Sequence, residues 1–270
     1  MAKSKYESFS KEQLLEKIKQ LEKLRYGLVW EDKQEDVAEQ CDRELPVLEE
    51  VTAREIKSKD GLPQNILIEG DNYHSLYALN FTHRRKVDVI YIDPPYNTGN
   101  KDFKYNDHFV DSEDSFRHSK WLSFMNKRLK LAKNLLNEAG AIFISIDDNE
   151  VAQLKMICDK IFNESNFVAT IIWEKKFSPQ NDSKWLSDNH DYILLYAKKK
   201  SVWRPNLLAR NEKQLSRYQN PDNDPRGPWA SGPIQVGPRI ESRVYEIISP
   251  NGKSVVPPPQ ACWRFSEEKY

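Results

Sequence analysis

An α/β fold built on a largely parallel sheet is predicted by three observations. Between residues 65 and 163, short apolar runs alternate with segments of helical period, the signature of strand–helix–strand units. Two of those runs, residues 87–92 and 141–146, are nearly continuous in apolar residues, as strands covered on both faces are. Both end in acidic residues, Asp93 and the pair Asp147-Asp148, at the strand ends where open α/β sheets bind ligands.

Composition narrows the class. The 270 residues carry 41 basic and 41 acidic side chains, so no global charge signals nucleic acid or membrane, and any basic surface must be local. A hydrophobic fraction of 39% suffices for a real core. No apolar run approaches the roughly 20 residues of a membrane span, and the polar start does not resemble a signal peptide. Cys41, Cys158 and Cys262 are few, odd in number and far apart, which suits a reduced cytoplasm and excludes a Cys-rich zinc site.

The elements follow in order. Residues 8–28 read as a helix, with Ser10 as N-cap and Gln13 completing a capping box. Its narrow stripe of Leu14, Ile18 and Leu21 suits either a helix lying on the domain or a helical pair or dimer contact. Residues 31–60 are acidic and read as a solvated connector, which leaves the remainder mildly basic. Residues 65–69 read as a strand closed by Gly70-Asp71, and residues 72–81 as a helix. The strand 87–92 runs into Asp93-Pro94-Pro95-Tyr96. The polar stretch 97–114 reads as a mobile lid or substrate loop, because loops of that length are usually functional.

Residues 115–138 form an amphipathic helix with Trp121, Leu122, Met125, Leu129, Ala132 and Leu135 on its apolar face. Lys120, Lys127, Arg128, Lys130 and Lys133 fall off that face, and Gly140 reads as the helix stop. The strand 141–146 and a helix over 149–162 come next. The apolar runs 167–173 and 192–196 have no helical segment between them, so they are read as an antiparallel pair at the sheet edge. Beyond residue 200 proline and glycine become frequent, and Ser249-Pro250-Asn251-Gly252 marks a hairpin turn. Three regions result: 1–60, an N-terminal helix and acidic connector; 61–200, a catalytic core; and 201–270, a separate β-rich module.

The chemistry is concentrated in Asp93-Pro94-Pro95-Tyr96. An ionised Asp93 accepts hydrogen bonds, and so does the Pro94 carbonyl. Successive prolines fix backbone φ and hold these acceptors without reorganisation. Tyr96 offers a flat face for stacking. The set suits a planar substrate with an exocyclic amine, whose nitrogen lone pair would be aimed at an electrophile by positioning alone.

This tetrapeptide resembles the catalytic motif of the amino-methyltransferases of DNA, in the form used on adenine N6; the cytosine-N4 enzymes usually begin theirs with Ser. The block extending to Asn97-Thr98-Gly99-Asn100 resembles the modification subunits of type III restriction–modification systems. So do residues 142–150, Tyr26-Gly27-Leu28-Val29-Trp30-Glu31, Arg226-Gly227-Pro228-Trp229 and Cys262-Trp263-Arg264. The resemblance runs from about Tyr26 to the end. It implies a Rossmann-like methyltransferase sheet, incomplete here, that uses S-adenosylmethionine (SAM). A flipped adenine would be held by Asp93 and the Pro94 carbonyl, with Pro95 stiffening the turn and Tyr96 stacked on the ring. It also implies a double-stranded DNA substrate, a restriction (helicase–nuclease) subunit as partner, a homodimer when full length, and a cytoplasmic location.

Gly70-Asp71 resembles the family's acidic cofactor loop, and reads equally well as a strand end that caps the next helix. Asp147 and Asp148 suit helix capping better than a site role, and no His joins them and Asp93 at metal-ligand spacing, so no metal is expected. Lys175, Lys176, Lys184 and His190 are candidate phosphate contacts, and Trp185 a candidate wedge. One departure is large. The family's Phe-x-Gly-x-Gly turn is missing, since no two glycines lie two residues apart. The chain is therefore read as the N-terminal part of a longer protein. Its sheet should have an open edge, its SAM affinity should be weak, and residues 201–270 should begin a target-recognition module. The rival reading is a truncated, non-catalytic DNA-binding or assembly subunit. A protein-glutamine methyltransferase is disfavoured, because those enzymes begin the motif with Asn.

Overall fold

The structure is a computed structural model that describes residues 9–23, 28–31, 35–56, 62–178, 185–249 and 251–270. The chain forms two compact units, Met1–Pro205 and Asn206–Tyr270.

The first unit opens with α1 (Lys11–Lys23), and its capping box is as predicted: Gln13 N donates to Ser10 Oγ at 3.2 Å, and Ser10 N to Gln13 Oε1 at 2.8 Å. Within the predicted stripe Leu14 is half-buried and Ile18 is exposed. The expected continuation to residue 28 falls mainly outside the described residues, as do Tyr26 and Gly27. The acidic connector contains a helix, α2 (Asp36–Arg43), and is not simply solvated. The buried Glu35 anchors it by accepting a 2.7 Å hydrogen bond from Arg128 Nη1. Arg128 was expected on the solvent side of its helix. It is drawn inward because the Glu35 carboxylate and the Phe124 ring, 3.6 Å away, satisfy its charge.

Residues 65–69 do not form a strand. They are irregular and largely exposed, Ile66 at 74% and Leu67 at 95%, with no strand pairing among the described residues. The helix α3 (Asn72–Thr82) follows, then β1 (Val87–Ile92). Next come the short hairpin β2 (Lys104–Tyr105) and β3 (His108–Phe109), then α4 (Arg117–Leu135), β4 (Leu136–Ile146) and α5 (Val151–Phe162), then β5 (Phe167–Glu174) and β6 (His190–Ala197).

The sheet order is β1-β4-β6-β5. Only β1 and β4 run parallel; β6 is antiparallel to both β4 and β5. The sheet is thus mixed, with the expected antiparallel pair forming one side. The other side ends at β1. Val89 and Tyr91 are exposed while Ile90 and Ile92 pack on the core, so β1 is half-buried rather than covered on both faces. Helices α4 and α5 supply much of that core, with Trp121, Met125, Leu129, Ile157 and Phe162 packed against Ile142, Ile144 and Tyr196.

Two further expectations change. Residues 97–114 are not a mobile lid. Their hairpin inserts Phe103, Tyr105 and Val110 into the core, and burial of that size holds a loop in place. Gly140 does not stop α4, which ends at Leu135. It lies inside β4, where a Cβ would stand 2.9 Å from the Val87 carbonyl, so glycine permits close approach to β1.

The second unit has little regular structure. It contains α6 (Glu212–Leu215), a two-stranded pair of β7 (Gln235–Val236) with β10 (Cys262–Trp263), and the hairpin β8 (Ile247–Ile248) and β9 (Ser254–Val255). The hairpin closes through the predicted turn, with Gly252 at φ +78°. Trp263 is buried and donates to the Tyr245 carbonyl at 2.6 Å.

Candidate active site

β1 delivers Asp93-Pro94-Pro95-Tyr96 to the carboxyl end of the parallel pair, where its register with β4 runs from Val87 to Ile92. Asp93 is exposed, and Pro94, Pro95 and Tyr96 are partly buried. Burial first, and then a hydrogen bond to the Asp93 carboxylate, push the Tyr96 phenol well above the usual tyrosine range. The turn is held from below, where the buried Trp121 of α4 donates from Nε1 to the Pro95 carbonyl at 2.7 Å. Pro95 is thereby committed to the scaffold.

Asn97 follows directly, with φ +59°, a left-handed conformation that Asn tolerates better than most residues. It is buried and donates to Glu150 Oε1 at 2.5 Å. Glu150 also meets His118 Nδ1 of α4 at 2.6 Å. Burial raises the Glu150 pKa, opposed by Asn97 and then by His118 and Arg117. Three elements thus converge on the turn, and only one of them contains the motif. Periodicity marks Trp121 as core, and nothing local marks its indole as a donor to Pro95. Glu150 lies within a family-like block, but its burial is not legible there.

Gly70-Asp71 is not brought to this turn. It lines a separate cleft of about 330 Å³ together with Gln40, Leu45, Val47 and His74. Asp71 is the N-cap of α3 and accepts from Tyr73 N at 2.7 Å, so the capping role is present. Arg128 Nη2 stands 3.8 Å from the same oxygen, Asp71 Oδ1. A Cβ on Gly70 would touch only Ser75 Oγ, at 4.0 Å, so the backbone is open to approach there.

The acidic pair at the end of β4 is structural. Asp147 accepts from Asn149 N at 2.9 Å, turning the chain into α5, and Asp148 accepts from Tyr192 Oη at 2.8 Å. Among the described residues no group of three or more His, Cys, Asp or Glu side chains is placed to hold a metal. Of the candidate phosphate contacts, Lys175 is occupied by Asp191 at 2.7 Å and Asp188 at 3.4 Å. His190 packs edge-on against Tyr192, and Lys184 lies outside the described residues. Trp185 is 92% exposed, open to a partner.

The family model for DNA methylases, of the N6/N4 type, matches residues 87–266, a span that begins with β1 and includes the whole site. The chain belongs to that family. The Mod subunit of the type III restriction–modification enzyme StyLTI from Salmonella typhimurium is 36% identical over 250 residues, covering 84% of this chain and 37% of that protein. The EcoP15I Mod subunit from Escherichia coli is 32% identical over 262 residues, covering 75% of this chain and 40% of its own length. The chain therefore spans about two-fifths of the length of these curated relatives. A solved structure described as M1.HpyAVI with SAM matches at TM-score 0.36 and 18% identity, over 54% of this chain and 60% of that one, too loosely to carry an argument.

Proposed function

We propose that this chain carries the catalytic turn of a DNA adenine-N6 methyltransferase, the modification subunit of a type III restriction–modification system. The observation that carries the reading is the pinned turn itself. An exposed Asp93 and a partly buried Tyr96 flank a Pro95 carbonyl that the buried Trp121 holds by a hydrogen bond. Asp93 accepts one N–H of the adenine amine and the Pro94 carbonyl accepts the other. Both are set before substrate arrives, so the amine lone pair is aimed without reorganisation. Tyr96 keeps its proton across the working pH range and presents its ring to the base. Extrusion of the base brings it within reach.

S-adenosylmethionine, when bound, supplies the electrophilic methyl group. Gly70 and Asp71 suit part of that cofactor. The glycine leaves the backbone open, and the Asp71 carboxylate, already accepting from Tyr73, has acceptor capacity for an adenine amine. The second unit is proposed as the start of a target-recognition module. The DNA methylase family match supports DNA as substrate, and the relatives' names as Mod subunits of restriction–modification enzymes support a restriction subunit as partner; we add that the DNA is duplex and that the full-length protein is a homodimer. No described helix is long and apolar enough to cross a membrane, and the three cysteines are free and buried, which accords with a cytoplasmic location.

The test is transfer of labelled methyl from SAM to duplex DNA by the native full-length protein, followed by nucleoside analysis. N6-methyladenine is expected from the wild type, with a loss of at least about 10³-fold in Asp93→Ala. Label recovered on cytosine, or activity that survives Asp93→Ala, would overturn the reading.

A further inference from the structure

The buried carboxylate of Glu150 has no role in the chemistry just described. Its side chain is fully buried, and its Oε2 has no hydrogen-bond partner among the described residues. Such a group is costly, since burial opposes its charge. Its position does not explain it either. Glu150 is the N-cap residue of α5, yet it makes no side-chain cap bond, where Ser, Thr, Asp or Asn would. What it does make is the short bond from Asn97 Nδ2, with His118 Nδ1 on the same oxygen. Asn97 adds a second, longer bond to the Arg117 carbonyl at 3.4 Å. Its left-handed backbone is the first step of the chain beyond Tyr96, and Gly99 and Lys101 also have positive φ. Without an anchor, a non-glycine residue would relax from that conformation and carry Tyr96 with it.

We propose that Asn97 and Glu150 form a buried latch that holds the Asp93–Tyr96 turn in its amine-accepting shape, which makes both of them positioning residues for methyl transfer. The inference rests on reading that turn as the amine clamp. Trp121 fixes the turn at Pro95, and the latch fixes it two residues later. Between these points Tyr96 has little freedom to swing away from Asp93. Glu150 follows the carboxyl end of β4, the same end at which β1 delivers the turn, so the parallel β1–β4 pair carries both halves of the latch.

The test compares Glu150→Ala, Asn97→Gly and Glu150→Gln in the native full-length protein. Asn97→Gly keeps the left-handed backbone accessible and removes only the side chain. Hydrogen exchange of the peptide spanning residues 92–102 should quicken about tenfold or more in Glu150→Ala and Asn97→Gly, with β4 and α5 unchanged. In methyl transfer the same two variants should lose about 10- to 100-fold in kcat, with KM for DNA and SAM within about threefold. Glu150→Gln, whose amide oxygen still accepts from Asn97, should stay within about threefold of wild type in both measurements. The latch is refuted by unchanged exchange in Glu150→Ala and Asn97→Gly, by exchange that quickens equally through β4 and α5, or by a Glu150→Gln as impaired as Glu150→Ala. Should Glu150→Ala not fold, Asn97→Gly and Glu150→Gln decide the matter. A wild-type protein that transfers no methyl to adenine would sink the proposed function, while the exchange comparison would still decide the latch.

Discussion

The indole Nε1 of Trp121 donates a 2.7 Å hydrogen bond to the carbonyl of Pro95, 26 residues earlier in the chain. A core residue of α4 is thereby also a support of the Asp93–Tyr96 turn. Trp121→Phe should keep most of the apolar burial and lose the donor, leaving the Pro95 carbonyl unsatisfied. We expect a stability loss of about 2–3 kcal/mol in urea unfolding. Methyl transfer by the full-length variant should fall about tenfold through misplacement of Asp93 and Tyr96.

Glu150 gives a pH prediction with a definite sign. Its folded-state pKa is raised above the ordinary carboxylate value of 4.5, chiefly by burial and against the pull of Asn97, His118 and Arg117. Between the unfolded and folded values the native state binds more protons than the unfolded one. Stability should therefore decline as pH rises from about 4.5 through the raised value, and level off above it. Denaturant unfolding followed across this range should show the decline in wild type and a flatter profile in Glu150→Gln. Identical profiles would mean that Glu150 titrates alike in both states.

The pair of Glu35 and Arg128 ties α2 to α4 across 93 residues, with both side chains almost fully buried. Removing Arg128 takes away the 2.7 Å partner of the buried Glu35 carboxylate and leaves it facing Lys127 Nζ at 3.8 Å. Arg128→Met alone should cost about 3–5 kcal/mol by chemical denaturation. In combination with Glu35→Gln the loss should be smaller than the sum by about 1–3 kcal/mol. Strict additivity would show that the two charges are not coupled.

Gly99 sits at φ +83°, and a Cβ there would stand 2.6 Å from Ser112 Cβ and 2.8 Å from Ser112 Cα. Gly99→Ala combines a left-handed penalty with a backbone clash, and should destabilise by about 2–4 kcal/mol. Gly227→Ala, at φ +99° with nothing within 4 Å, should cost only the conformational part, about 1–2 kcal/mol. Thermal unfolding of the two variants makes the comparison.

Much of the first unit was legible because its signals are local. The capping box of Ser10 and Gln13, the apolar face of α4 and the turn before Gly252 each follow from a few neighbouring residues. The misreadings have one cause in common. Residues 65–69 have strand composition, but backbone pairing requires a neighbour that composition does not reveal. Residues 97–114 look polar in bulk, yet Phe103, Tyr105 and Val110 suffice to dock them. Arg128 looks like one more solvent-facing cation, and only the arrival of Glu35 from another helix makes it a core residue.

By itself the sequence determined that this chain has a rigid turn of acceptors after an apolar strand, and it pointed to the chemistry such a turn performs. Asp93, Pro94, Pro95 and Tyr96 are consecutive, so their covalent order and the fixed φ of proline are enough. Only the tertiary structure decided what holds that turn still. Trp121 lies 26 residues from Pro95 and Glu150 lies 53 from Asn97. Contacts at such separations depend on how α4 and β4 pack beside β1, and no local pattern encodes them.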